Sequence, residues 1–155
     1  MSDRLQVTYF AAGCFWGVEK KFAELSGVVE TAVGYMGGDW PQPTYEQVCS
    51  GETGHAETVE VRFDPERVTY AELLVAFWRM HNPSCLNYQG WDVGTQYRTA
   101  LFVVDEEQRR QAEASRAGED ASGCHGAPIV TEITAAETFW RAEEYHQKYL
   151  FKSLK

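Results

Sequence analysis

Leu5-Gln6-Val7-Thr8-Tyr9-Phe10 runs through Ala11-Ala12 into Gly13-Cys14-Phe15-Trp16-Gly17-Val18, and the change of rhythm between the two runs decides the fold. In the first, Leu5, Val7 and Tyr9 alternate with polar neighbours, which predicts a strand over 5–10. Past Gly13 the apolar positions Phe15, Val18, Phe22 and Leu25 recur at steps of three and four, which predicts a helix with one buried stripe. Gly27 supplies the stop signal, and Val28 to Tyr35 reads as the next strand. A strand that feeds a helix that feeds a strand is the unit of a layered α/β domain.

The rest of the chain extends that pattern. Gly37 to Gly54, rich in Gly, Pro, Thr and Ser, reads as a long loop with a functional purpose. His55 to Phe63 reads as a strand, and Tyr70 to His81 as an amphipathic helix capped by Thr69. After an irregular stretch from Asn82 to Gln96, a strand is expected at Tyr97 to Val104 and a polar helix at Glu106 to Arg116. A flexible loop at Ala117 to Gly126, a short strand at Ile129 to Ile133 and a closing helix at Phe139 to Leu150 complete the reading. The expected fold is a two-layer α/β (α+β) sandwich, with a mixed central sheet and flanking helices in a ferredoxin-like layering.

Composition narrows the function. The 155 residues carry a net charge of −9, with 44% hydrophobic and 24% charged residues, so the chain can build a core and is not generally disordered. The acidic balance argues against a nucleic-acid partner. Met1-Ser2-Asp3-Arg4-Leu5-Gln6 lacks the order of an export signal. Val7 to Val18 is too short and too interrupted by glycine to span a bilayer. A cytoplasmic protein with reduced thiols is therefore expected. Its cysteines, at 14, 49, 85 and 124, form no CxxC pair. No metal site is expected, because Cys85, Cys124, His81 and His125 show no ligand spacing.

Cys14 sits where a strand gives way to a helix, and the unpaired N–H groups and dipole of a helix start favour a thiolate. The bland alternative is a buried structural cysteine. Glu57 shares a strand face with Val59, Val61 and Phe63, where desolvation favours the protonated carboxyl that a general acid needs. Equally, Glu57 could stand at the solvated end of its strand. Tyr45 and Tyr97 offer hydroxyls that could hold a developing oxyanion, or could simply be packed aromatics. A cysteine hydrolase using His55 or His146 as base is a rival reading that leaves Glu57 unexplained.

Gly13-Cys14-Phe15-Trp16-Gly17, Gly54-His55-Ala56-Glu57 and Asp92-Val93-Gly94-Thr95-Gln96-Tyr97-Arg98 closely resemble the signature segments of A-type peptide methionine sulfoxide reductases. Val33-Gly34-Tyr35, Pro43-Thr44-Tyr45, Phe63-Asp64-Pro65 and Glu144-Tyr145-His146-Gln147 are similar to that family too, in the same order, over about residues 8 to 150. The resemblance implies one catalytic domain over 1–155 that repairs oxidised methionine, free or in proteins, by reducing the S epimer. Cys14 would attack the sulfoxide sulfur, Glu57 would protonate the departing oxygen, and Tyr45 and Tyr97 would hold it. Phe15 and Trp16 would receive the methyl group, and Asp92 would support the substrate site. No cofactor is implied: electrons come from thioredoxin, glutaredoxin or a small thiol, and a monomer is the family default.

The chain departs from the family in one respect. Many relatives carry resolving cysteines in a glycine-rich tail, whereas here Phe151-Lys152-Ser153-Leu154-Lys155 closes the sequence with no cysteine after 124. Three routes for clearing a Cys14 sulfenic acid stay open: an external thiol, Cys85, or Cys124. Cys85 lies in a stretch where Tyr88 and Trp91 also replace commoner family residues, and Cys124 lies in a mobile glycine-flanked loop. Cys49 stands where relatives often have a cysteine without a resolving role.

Overall fold

The computed structural model describes residues 5–152. The opening tetrapeptide, read for export, and the final Ser153-Leu154-Lys155, read for a resolving cysteine, lie outside the described residues. Strand β1 (Gln6–Ala12) leads into helix α1 (Phe15–Ala23), followed by β2 (Val28–Met36), α2 (Tyr45–Cys49), β3 (Ala56–Phe63) and α3 (Tyr70–Met80). A two-residue hairpin, β4 (Tyr88–Gln89) and β5 (Asp92–Val93), precedes β6 (Thr99–Val103) and the long α4 (Glu106–Ser122). The chain closes with β7 (Glu132–Ala135), β8 (Trp140–Arg141) and α5 (Tyr149–Lys152).

The main sheet has the order β7-β6-β1-β3-β2-β8. Its pairs are antiparallel except β6 with β7, so the expected mixed sheet is present. Alternation sets its two faces. Phe10, Val33, Val59, Val61, Phe63 and Leu101 meet Phe15 and Phe22 of α1 and Leu73, Leu74 and Phe77 of α3 in one buried cluster. Ala11, Met36, Ala56, Ala100 and Phe102 form a smaller cluster on the opposite face, against Phe139. Among the described residues no helix is long and apolar enough to cross a membrane.

Four local expectations are corrected. The segment Phe139 to Leu150 is not a helix. Its Trp140 and Arg141 pair with Tyr35 and Gly34 as edge strand β8, and a 3-10 turn at Glu144–His146 follows. Tertiary bonds override the helical spacing there: the Gln147 side chain accepts from Val33 N–H at 2.8 Å and donates to Val33 O at 2.9 Å. The Gly37–Gly54 loop contains α2, started by a reciprocal capping box between Thr44 and Gln47. Helix α4 runs six residues past Arg116, to the left-handed Gly123. The strands expected at 97–104 and 129–133 begin later, at Thr99 and Glu132, with Tyr97 closing a 3-10 turn.

Candidate active site

Glu57 is the second residue of β3, on the face that looks toward the helices, and is 1% exposed. Its Oε1 accepts from Phe15 N–H at 3.1 Å, while Oε2 is buried with no partner. Burial pushes this carboxyl from its ordinary 4.5 up to about 8, Asp92 adds to the rise, and the Phe15 N–H opposes it. The alternative that Glu57 sits at a solvated strand end is excluded by this burial. Glu57 is therefore mostly protonated at neutral pH, with a hydroxyl that has no acceptor within the fold.

Cys14 occupies the N-cap of α1, one residue before the helix, and is half-buried. The turn that puts it there needs Gly13, whose φ of +103° suits glycine and whose missing Cβ would stand 3.0 Å from the Gln89 side chain. Burial raises the Cys14 thiol to about 11. The backbone N–H groups of Trp16 and Gly17 pull it down, and the charges of Glu57 and Asp92 push it up. The helix start thus favours the thiolate as expected, but burial and two acids outweigh it, and the resting group is a thiol. That corrects the expectation of a thiolate set by the dipole alone.

Tyr97 joins this pair. Burial first, then the charges of Glu57, Cys49, Asp92 and Cys14, lift its phenol to about 12. Tyr45 opens α2 with its ring stacked 6.4 Å from that of Phe15, and its hydroxyl is raised by burial, by a hydrogen bond with Cys49 and by Glu57. Phe15 is fully buried between Tyr35, Tyr45 and His146, so it forms the floor beneath the site. Trp16 is half-buried. Its indole stacks on Tyr149 at 3.9 Å and donates to His146 Nδ1 at 3.0 Å. Asp92 is exposed on β5 and reaches Cys14, Glu57 and Tyr97 through its charge.

Three residues take a place in the site that the sequence reading does not give them. Cys49 follows Tyr45 by one helical turn, so both side chains share a face of α2; a helix predicted there would have revealed it. Glu143 accepts from Tyr35 Oη and from Tyr45 N–H, each at 2.9 Å, and ties α2 to the closing segment. His146 enters the sequence reading as a rival hydrolase base and on a segment expected to be helical. It is packed instead on a 3-10 turn, with rings of Phe15, Trp16 and Tyr45 around it. Of the two candidate resolving thiols, Cys85 is buried beside the Tyr88 hydroxyl, and Cys124 is exposed beyond the end of α4.

The hydrolase reading loses its bases here. Gly38 N–H donates to His55 Nδ1 at 3.0 Å, and Nε2 lies 2.7 Å from Trp40 O, while His146 Nδ1 is already taken by Trp16. The zinc set that included His81 fails likewise, since that ring is bonded to Phe77 O at 2.8 Å and Thr99 Oγ1 at 2.7 Å. What remains is a thiol, a neutral carboxyl and two phenols, coupled to one another through their charges, on an α/β sandwich. Such a site is built for a sulfur that attacks and an oxygen that departs protonated, as in a thiol-based oxidoreductase.

Comparison with known proteins agrees with this class. The family model for peptide methionine sulfoxide reductase matches residues 6–155. The peptide methionine sulfoxide reductase MsrA of Geobacter sulfurreducens is 57% identical over 148 residues, 96% of this chain and 91% of the relative. Among solved structures, methionine sulfoxide reductase A of Corynebacterium diphtheriae aligns with a TM-score of 0.93 at 38% identity, covering 97% of this chain and 76% of that one. Reduced Mxr1 from Saccharomyces cerevisiae aligns with a TM-score of 0.91 at 34% identity, covering 99% of this chain and 88% of that one. That yeast protein has also been solved in complex with Trx2 (TM-score 0.67, 21% identity, 95% and 86% coverage). The chain belongs to the peptide methionine sulfoxide reductase family.

Proposed function

We propose that this protein reduces the S epimer of methionine sulfoxide, free or in proteins, through oxidation of Cys14. The Cys14 sulfur attacks the sulfoxide sulfur to form an S–S bond as the S–O bond breaks; the released oxygen, as hydroxide, then attacks the Cys14 sulfur, the S–S bond breaks, methionine leaves and Cys14 becomes a sulfenic acid. Glu57 gives its proton to the departing oxygen, and the Cys14 thiol proton returns to the carboxylate so formed. As negative charge gathers on the attacking sulfur, the Trp16 and Gly17 N–H groups face it, and the Tyr45 and Tyr97 hydroxyls hold the oxygen. Trp16, above the Phe15 floor, receives the methyl group, and Asp92 lies at the substrate rim.

One observation carries this reading: a carboxyl that is 1% exposed, held through Oε1 by the residue next to Cys14, left with a partnerless Oε2, and close enough for its charge to act on the thiol. A buried polar atom without a partner costs about 1–3 kcal/mol, and a sulfoxide oxygen is the acceptor it lacks. Recycling then falls to an external thiol of the thioredoxin or glutaredoxin type or a small thiol, with no prosthetic group. Two thiols reduce the sulfenic acid to Cys14, releasing water and a disulfide. The enzyme would work as a cytoplasmic monomer with one catalytic domain over 1–155.

The test is a single turnover of fully reduced protein with each methionine sulfoxide epimer, without reductant, followed by mass spectrometry of the thiols. One methionine per chain, from the S epimer, with oxidation confined to Cys14 is expected. A disulfide from Cys14 to Cys85 or Cys124 would replace external recycling with an internal resolver. An unoxidised Cys14, or equal use of both epimers, would refute the mechanism.

A further inference from the structure

We propose that Glu119, Cys124 and His125 form a binding site for a zinc-class divalent metal ion at the end of α4, separate from the reductase chemistry. The observations are geometric. Glu119 lies in the last turn of α4, and Gly123, with φ of +71°, reverses the chain immediately after the helix. Gly126, with φ of +74°, donates its N–H to Gly123 O at 3.2 Å and closes a turn that holds Cys124 and His125 beside the helix end. His125 Nε2 then lies 3.0 Å from Glu119 Oε1, and Cys124 Sγ lies 3.7 Å from the same oxygen. One ligand atom from each of the three residues falls within 4.8 Å of the others.

These separations are close to those a metal requires. Tetrahedral zinc, with bonds of about 2.0–2.1 Å to nitrogen and oxygen and about 2.3 Å to sulfur, sets its ligands about 3.3 Å apart for N···O and about 3.6 Å for O···S. Both contacts are within a few tenths of an ångström of those edges, and the remaining His125–Cys124 edge, within 4.8 Å, would close toward about 3.6 Å around the ion. The donor set is one thiolate, one imidazole and one carboxylate, which suits zinc rather than the oxygen-seeking magnesium or calcium. No sequence spacing announced it, because the ligands are joined by a helix end and a glycine reversal rather than by a ligand-spaced pair.

The surroundings fit a ligand sulfur better than a packing one. Cys124 is exposed, and Ser122 Oγ sits 3.2 Å from its sulfur. Free cysteines are more often buried among apolar groups. The three residues border a cavity of about 520 Å³ between α3 and α4, with Val75, Trp78, Arg79 and His81 on its other walls. That cavity leaves room for water at the fourth coordination position. His81 is not a ligand, since both its ring nitrogens are engaged by Phe77 O and Thr99 Oγ1. Binding would release the Cys124 thiol proton to solvent, shield that sulfur from oxidation and clasp the end of α4 to the chain that leads into β7.

Cobalt(II) is the probe, because a cobalt–thiolate bond gives a charge-transfer band in the near ultraviolet. The full chain, reduced and free of metal, should bind one cobalt per molecule with that band, and zinc should displace it. Cys124→Ser should abolish the band. His125→Ala and Glu119→Gln should weaken binding at least about tenfold, the smallest effect usual even for an outer-sphere partner. Cys14→Ser and Cys85→Ser should bind as the native chain does, and circular dichroism should be unchanged in all five variants. Absence of the band from the native chain, its survival in Cys124→Ser, or its loss in Cys14→Ser would each overturn the proposal.

Discussion

Glu57→Gln should stabilise the protein while removing its activity, and the gain should grow with pH. The variant has nearly the shape of the protonated acid and keeps the acceptor for Phe15 N–H, so near pH 4.5 the two proteins should differ little. The native carboxyl has its folded value raised from 4.5 to about 8. A group raised in this way lends its full stability below its unfolded value and loses it as pH climbs through the folded one. At about 1.4 kcal/mol per pH unit, the loss is about 3 kcal/mol at pH 7 and about 5 kcal/mol once pH passes 8. Glutamine does not titrate and escapes that loss. Urea unfolding of both proteins at pH 5, 7 and 8.5 measures the difference directly, and sulfoxide reduction in dithiothreitol should fall by about 10²–10⁴, the usual worth of a general acid. A stability difference that stays flat with pH would show that Glu57 is not held neutral, and the catalytic argument would fail with it.

Other outcomes test separate links. In single turnover of pre-reduced enzyme, the rate should be level below pH 8 and fall about tenfold per unit above it as Glu57 loses its proton; a rate that keeps rising with thiolate formation would contradict the proton route. Cys14→Ser should have no measurable turnover with dithiothreitol, whereas Cys49→Ser, which keeps a hydroxyl beside Tyr45, should stay within about threefold of native. Tyr45→Phe and Tyr97→Phe should each lower kcat about 10²-fold, the scale for losing one oxyanion donor, with little change in KM. Gly34→Ala would place a Cβ 2.5 Å from Trp140 O and 2.7 Å from the Phe139 ring, so it should cost about 1–3 kcal/mol in urea unfolding and detach β8.

What the sequence disclosed follows the range of the interaction involved. The β1–α1 junction and the placement of Glu57 on an apolar face were legible, because alternation and the 3.6-residue rhythm are local and the sheet obeys them. Phe139 to Leu150 misled because its apolar spacing suits a helix, while its backbone is claimed by β2, more than a hundred residues earlier, through the pairing that makes β8 an edge strand and through Gln147 and Val33. Helix α2 was hidden for a similar reason. Its five residues depend on the Thr44–Gln47 box and on Glu143 gripping Tyr45 N–H, and only the box is written locally. The protonation state of Cys14 was beyond reach as well, since it is a contest between a helix start visible in sequence and a burial that only the fold creates.

The start of α1 shows why this fold and this chemistry belong together. A helix start leaves its first N–H groups without intrahelical partners, and the usual remedy is a Ser, Thr, Asp or Asn side chain at the N-cap. Here the N-cap is Cys14, no side chain caps the helix locally, and its first turn carries no acid. The Phe15 N–H instead donates across the core to Glu57, and those of Trp16 and Gly17 face the Cys14 sulfur. The two groups proposed to react thus serve as the helix cap, so the stability of α1 and the proposed geometry of attack rest on the same hydrogen bonds. A change of Glu57 to Leu would remove the acceptor as well as the acid and strand the buried Phe15 N–H, at a cost of about 1–3 kcal/mol. Glutamine at that position loses only the acid. Near pH 4.5, where the native acid loses nothing to ionisation, the leucine variant should unfold more readily than the native protein and the glutamine variant should not, and that difference separates the cap from the catalyst.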